Sequence, residues 1–189
     1  MNIAVFGLGY VGCVSAACFA KLGHSVVGVD VNSVKVEMIN AGKSPIIEQD
    51  IDQIIAETAA AGSLRAVTSA EEAVMSSDVS LICVGTPSDE SGGLNLVYIR
   101  RVCEEIGAVL AKKGQYHVVA IRSTVLPGTL ETVVKPILEQ SSGLKVGEQI
   151  GLCSNPEFLR EGSAVKDFFG PPYRSEEHTS ELQSLTDIS

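Results

Sequence analysis

Gly7, Gly9 and Gly12 stand directly behind the apolar run Ile3-Ala4-Val5-Phe6, and Asp30 closes the next apolar run, Val26-Val27-Gly28-Val29. Each glycine answers a different physical need. Gly7 allows a tight turn out of a strand, Gly9 lets a phosphate come close to the backbone, and Gly12 lets a helix pack tightly on that strand. Free N–H groups at the helix start then face the anion. Asp30 lies 18 residues beyond Gly12, near the spacing of about 20 at which a carboxylate accepts hydrogen bonds from an adenosine ribose. The same carboxylate repels a 2′-phosphate, so the pattern points to NAD rather than NADP. Any tight strand-to-helix turn favours glycine. It is the agreement of strand, helix, second strand and acid that reads as a cofactor site.

The elements that must carry these residues follow from periodicity. Val11, Val14, Cys18 and Leu22 recur at helical spacing, Ala16, Ala17 and Ala20 keep that helix slim, and Gly23 supplies a left-handed stop. Asn32 or Ser33 can cap a short helix reaching Asn40, and Gly42-Lys43-Ser44-Pro45 breaks the pattern before a helix over 51–61. Strands are predicted over 64–68, 79–84, 118–121 and 150–153, with helical stretches over 70–75 and 129–138. Leu96, Ile99, Cys103, Ile106 and Leu110 describe a long helix whose polar face carries Arg100, Arg101, Glu104 and Glu105. Strands alternating with helices at this interval predict an α/β fold. The expected architecture is a Rossmann-type doubly wound parallel sheet with helices on both faces and ligands at the carboxyl ends of the strands. Gly85-Thr86-Pro87, Arg122-Ser123-Thr124 and Ser154-Asn155-Pro156-Glu157 all fall at such ends, presenting polar groups toward one crevice.

Composition narrows the partners. In 189 residues, 45% hydrophobic content and a mean hydropathy of +0.24 suit one domain around a buried parallel sheet. A net charge of −9 leaves no basic face for nucleic acid or an anionic membrane, so neither partner is expected. The start Met1-Asn2-Ile3 carries no basic leader, and glycine and charge interrupt the apolar runs, so a cytoplasmic location is expected. Cys13, Cys18, Cys83, Cys103 and Cys153 lack metal-ligand spacing and are odd in number. They read as buried reduced thiols, and no metal is expected.

With these residues in hand, the chain resembles the nucleotide-sugar 6-dehydrogenases, the UDP-glucose and GDP-mannose dehydrogenase family. The likeness covers residues 1–173 and rests on Phe6-Gly7-Leu8-Gly9-Tyr10-Val11-Gly12, Val84-Gly85-Thr86-Pro87, Arg122-Ser123-Thr124-Val125-Leu126-Pro127-Gly128-Thr129 and Asn155-Pro156-Glu157-Phe158-Leu159-Arg160-Glu161-Gly162. Gly42-Lys43-Ser44-Pro45 and the Val-Leu-Pro-Gly-Thr form of the third block look more like the GDP-mannose members. The resemblance implies oxidation of a sugar C6 alcohol to a carboxylate with two NAD, through an aldehyde and a cysteine-bound thioester. It implies NAD contacts at Tyr10, Val11, Asp30, Lys35, Thr86 and Thr124, with Glu161 near the nicotinamide. Thr124 would also help hold the hydrolytic water, and Glu157 would be the general acid/base beside it. Phe158, Leu159, Arg160 and Glu161 would line the sugar pocket. A nucleotide sugar is then the substrate, and a homo-oligomer the assembly of full-length members.

The family's nucleophilic cysteine, its oxyanion-stabilising lysine and asparagine, an aspartate near the water, the dimerising helix and a second nucleotide-binding domain lie further along than the likeness reaches. None of the five cysteines stands in the family's Gly-Gly-Ser-Cys setting. None is therefore assigned as nucleophile, and these residues alone are expected to be inactive. Arg174-Ser175-Glu176-Glu177-His178-Thr179-Ser180-Glu181-Leu182-Gln183-Ser184 resembles the in-frame translation of a common sequencing-library adapter. The expected organisation is an NAD-binding domain over 1–173 and a non-native, disordered tail over 174–189. Two other functions compete. An NAD-sensing module without catalysis needs no hydroxyl and carboxylate loops aimed at a sugar. A β-hydroxyacid-type dehydrogenase shares the glycine opening but not the Ser-Thr-Val-Leu-Pro-Gly-Thr and Asn-Pro-Glu-Phe-Leu blocks.

Overall fold

The computed structural model describes residues 1–88 and 92–171. Among them, β1 (Asn2–Phe6), β2 (Ser25–Val29), β3 (Leu64–Val67), β4 (Val79–Ile82), β5 (His117–Ile121) and β6 (Ile150–Ser154) form one sheet in the order β3-β2-β1-β4-β5-β6. All five pairings are parallel. After β3 the chain returns to the centre, so the order reverses between β1 and β4 and opens a crevice at their carboxyl ends. This is the doubly wound architecture that the alternating pattern predicts.

The helices are α1 (Tyr10–Lys21), α2 (Ser33–Asn40), α3 (Ile51–Ala60), α4 (Ala70–Met75), α5 (Val97–Lys113), α6 (Lys135–Ser142) and α7 (Ala164–Phe169). Strand alternation divides the core between them. Ile3, Val5, Val26, Leu64 and Leu81 pack with Cys18, Ile39, Ile54 and Val165 of α1, α2, α3 and α7. Ala4, Phe6, Val27, Ile82 and Ile121 pack with Val74, Ile106 and Leu138 of α4, α5 and α6. The central strands are thus covered on both faces, which is why they read as apolar runs rather than alternating ones. Asn32 is the cap that starts α2, its Oδ1 accepting the Val34 N–H at 3.0 Å.

Several expected boundaries shift. The strand over 79–84 stops at Ile82, because Ile82 pairs with Phe6 and β1 turns away immediately afterwards. The Cys83 N–H still reaches the Phe6 carbonyl at 2.8 Å, and the pairing with β1 ends there. In the same way the strand over 64–68 stops at Val67, the partner of the last residue of β2. The helix over 129–138 begins as a wider π turn, Leu130–Val134, and continues as α6 to Ser142. Pro136 explains the register change: it has no N–H to donate, and its ring clashes with a carbonyl one turn back unless the turn widens. Cys153, expected among the buried thiols, is exposed, because β6 is an edge strand, whereas Cys13, Cys18, Cys83 and Cys103 are buried. The domain boundary at 173 and the tail over 174–189 lie outside the described residues. Among the described residues no helix is long and apolar enough to cross a membrane, and no group of three or more His, Cys, Asp or Glu converges as a metal site.

Candidate functional site

The chain leaves β1 through Gly7, at a φ of +90°, and enters α1. A Cβ on Gly12 would stand 1.8 Å from the Gly7 carbonyl oxygen and 3.1 Å from Cys83 Cβ, so α1 sits on this turn at a distance that only glycine permits. A Cβ on Gly9 would meet nothing within 4 Å. Space therefore exists for another group to approach the backbone there. Gly9 is the N-cap of α1, provides no side-chain cap, and no acidic residue occupies the first turn. The leading N–H groups and the positive end of the helix dipole are left for an anion.

From this turn a crevice of about 370 Å³ runs along the strand ends, lined among others by Gly7, Gly9, Asp30, Lys35, Cys83 and Gly85. Asp30 is firmly placed in its wall. Its Oδ2 accepts the Leu8 N–H at 2.8 Å and its Oδ1 the Asn32 N–H at 2.9 Å. Lys35 Nζ lies 3.6 Å from Asp30 Oδ2, so its charge is directed at the carboxylate. Each carboxylate oxygen keeps a further lone pair for a ribose hydroxyl. A pyrophosphate at the α1 start and a ribose at Asp30 fit what these residues offer.

The loops after β4, β5 and β6 are cross-tied. Thr86 Oγ1 donates to the Thr124 carbonyl at 2.9 Å, and Ser123 Oγ donates to the Val84 carbonyl at 2.6 Å. Arg122 Nη1 donates to Asn155 Oδ1 at 2.6 Å, and Asn155 N–H to the Ile121 carbonyl at 2.8 Å. The three polar segments thus form one rim, as their strand-end positions predict. Thr124 and Glu157 share a depression of about 180 Å³. Glu157 also borders a second depression, of about 340 Å³, with Phe158, Leu159 and Arg122.

Other expected residues do not line these depressions. Arg160, expected in the sugar pocket, lines none of these three depressions. Its Nε and Nη2 donate to Asp167 Oδ2 and Oδ1 at 3.0 and 2.7 Å, bracing its loop against α7. Those bonds hold the Asp167 carboxyl well below the ordinary carboxylate range. Tyr10, Val11, Thr86 and Glu161 also stand off the three depressions; the Tyr10 hydroxyl is bonded to the buried carboxylate of Glu48. Sequence reasoning missed Tyr98, Arg101, Val102 and Glu105, which form the α5 wall of the crevice. Arg101 and Glu105, paired at 3.0 Å, belong to the polar face that the helical pattern predicts. Only the packing of α5 across the switch point brings them there. Glu48 was missed too, since a single carboxylate in a loop has no periodicity to mark it.

The glycine turn, uncapped helix and fixed acid at a sheet's switch point define a dinucleotide-binding domain. Comparison with known proteins narrows the class: residues 1–184 match the model of the UDP-glucose/GDP-mannose dehydrogenase family, NAD binding domain. The chain belongs to this family, and its cofactor is NAD. The GDP-mannose 6-dehydrogenase of Pseudomonas putida is 53% identical over 172 residues, 91% of this chain and 39% of that protein. That of Pseudomonas syringae pv. tomato is 52% identical over the same shares. A GDP-mannose dehydrogenase from Pseudomonas aeruginosa, crystallised as a ternary complex, superposes with a TM-score of 0.90 at 47% identity, over 98% of this chain and 43% of that one. The chain therefore spans 39% of the length of the curated relatives it matches.

Proposed function

We propose that the chain is the N-terminal part of a nucleotide-sugar 6-dehydrogenase that oxidises GDP-mannose, or UDP-glucose, to the uronate with two NAD. The observation that carries this reading is the rim of cross-tied loops beside the NAD crevice, with Thr124 and Glu157 on one small depression. GDP-mannose is favoured by the Pseudomonas relatives, each more than half identical to this chain.

In this reading the backbone from Gly7 through Gly9, Tyr10, Val11 and Gly12 holds the pyrophosphate, and Asp30 holds the ribose with Lys35 steadying its charge. Thr86 sets the height of the Thr124 hydroxyl through the Thr124 carbonyl. Bound NAD supplies the hydride acceptor. Glu157 Oε2 is occupied by the Leu159 N–H at 2.5 Å, which leaves Oε1 to exchange a proton with a sugar hydroxyl or a water as general acid/base. Phe158 and Leu159 offer apolar contact to the sugar, Glu161 a further carboxylate, and Arg160 braces the segment that carries them.

Two measurements test this. Calorimetric titration of the chain is expected to give NAD at least about ten-fold tighter than NADP, a gap of about 1.4 kcal/mol, narrowed by Asp30→Ala. Equal or tighter NADP binding refutes the assignment of Asp30. Absorbance assays with GDP-mannose and UDP-glucose are expected to give no sugar-dependent NADH from these residues alone. Burial pushes the thiols of Cys13, Cys18, Cys83 and Cys103 up to about 12, so none of them supplies a thiolate. In an extended chain carrying the Pseudomonas putida sequence after Tyr173, GDP-mannose should be oxidised. Glu157→Gln should then slow turnover by about a hundred-fold or more while leaving NAD affinity within a few-fold. Silence from the extended chain with both sugars argues against the substrate class, and an undiminished rate removes Glu157 from the chemistry.

A further inference from the structure

The segment Gly42-Lys43-Ser44-Pro45 has no part in the crevice, yet the loop it opens brings a buried carboxylate to α1. Ser44 Oγ donates to the Ile46 carbonyl at 2.8 Å, and the Ser44 N–H reaches Asp52 Oδ1 at 3.3 Å. Asp50, at a φ of +64°, is the one non-glycine residue with positive φ among the described residues. A loop held this way presents Glu48 inward while Ile47 and Gln49 stay exposed. Glu48 is 7% exposed. Its Oε2 accepts the Tyr10 hydroxyl and, at 2.7 Å, the Gly162 N–H; its Oε1 accepts the Ala164 N–H at 3.0 Å. Tyr10 Oη itself accepts the Gly162 N–H at 3.2 Å. Three distant pieces of chain therefore meet at one carboxylate.

We propose that Glu48 is a positioning residue that couples the cofactor turn at Gly9-Tyr10-Val11 to the loop carrying Glu157 through Glu161, so that NAD binding at the turn tightens that loop. The inference rests on the NAD-site reading above. Chemistry explains why a carboxylate is needed: both oxygens face backbone N–H donors, and an amide in either orientation turns its NH₂ against one of them. Burial raises the Glu48 carboxyl, but the hydrogen bonds from Tyr10, Gly162 and Ala164 together outweigh it and hold it below its ordinary value. Burial and the Glu48 bond push the Tyr10 hydroxyl up to about 12, so Tyr10 remains the donor.

The test is amide hydrogen exchange at Gly162 and Ala164 in the 189-residue chain, free and saturated with NAD, with calorimetry on the same samples. NAD is expected to slow exchange at both sites about ten-fold in the native chain, within the usual range of coupling between sites, and less than about two-fold in Glu48→Gln. A clamp that is structural only would speed exchange in Glu48→Gln equally with and without NAD, leaving the NAD-induced ratio intact, and that result overturns the proposal. Should Glu48→Gln fail to fold, Tyr10→Phe decides, since it removes one hydroxyl and leaves both backbone bonds to Glu48. Its NAD-induced slowing should fall clearly below the native value at saturation; full slowing overturns the coupling. NAD binding without slowing in the native chain overturns this proposal alone, and no NAD binding overturns the cofactor reading with it.

Discussion

Gly12→Ala is expected to damage folding and cofactor binding together, whereas Gly9→Ala should damage binding alone. At Gly12 the new methyl would sit 1.8 Å from a backbone oxygen, and no side-chain motion relieves that contact. The turn and α1 must separate. Overpacking of this kind costs about 3 kcal/mol or more, which for a chain of this length lowers the melting midpoint by about 6–12 °C. At Gly9 the methyl would enter open space, and the backbone there (φ −73°, ψ −166°) suits any L-residue. Stability should stay within about 0.5 kcal/mol of the native chain. NAD affinity should nonetheless fall at least about ten-fold, as the methyl holds the phosphate away from charge-assisted N–H bonds worth about 1.5–3 kcal/mol each. Thermal melts beside calorimetry separate the two effects. A Gly9→Ala chain that binds NAD normally would remove the pyrophosphate from this turn, and a Gly12→Ala chain of native stability would contradict the packing.

Acid is expected to weaken the fold as pH falls below about 6.5, and His117 is the cause. It is fully buried at the start of β5, remote from the crevice at the other end of the strands. Nε2 lies 2.8 Å from Ser80 Oγ, and Nδ1 lies 3.0 Å from Lys113 Nζ. An ammonium can only donate. Nδ1 is therefore the acceptor, and the ring is neutral with its proton on Nε2 facing Ser80. Burial, and then the Lys113 charge, lower the His117 pKa to about 4, against about 6.5 in an unfolded chain. The folded pKa is depressed, so the neutral ring's contribution is fully present above about 6.5 and is lost as pH falls toward about 4. Between pH 7 and 4.5 the unfolded chain should take up one more proton than the folded one, costing about 2–3 kcal/mol. Denaturant unfolding across that range should show this slope, flattened in His117→Gln. Constant stability from pH 7 to 4.5 would mean that the ring takes up its proton in the folded chain over the same range as in the unfolded one.

The sequence by itself determined whatever depends on neighbours along the chain. The glycine turn, the Asn32 cap and the apolar strands are local, since steric and hydrogen-bonding constraints act over a few residues, and they sufficed for the doubly wound fold and for NAD as the cofactor. The strand-end position of Thr86, Thr124 and Glu157 was equally legible, because the alternation of strands and helices orders the loops. Tertiary structure alone decided which side chains meet. Strand ends at Ile82 and Val67 depend on where the neighbouring strand turns away. Arg160 is directed to Asp167, seven residues on, by the docking of α7, and Arg101 and Glu105 reach the crevice by the packing of α5. Glu48 meets Tyr10, 38 residues away, and Gly162, 114 residues away. A buried carboxylate needs several donors at once to offset its lost hydration, and no window of sequence contains donors that only the finished fold brings to one point.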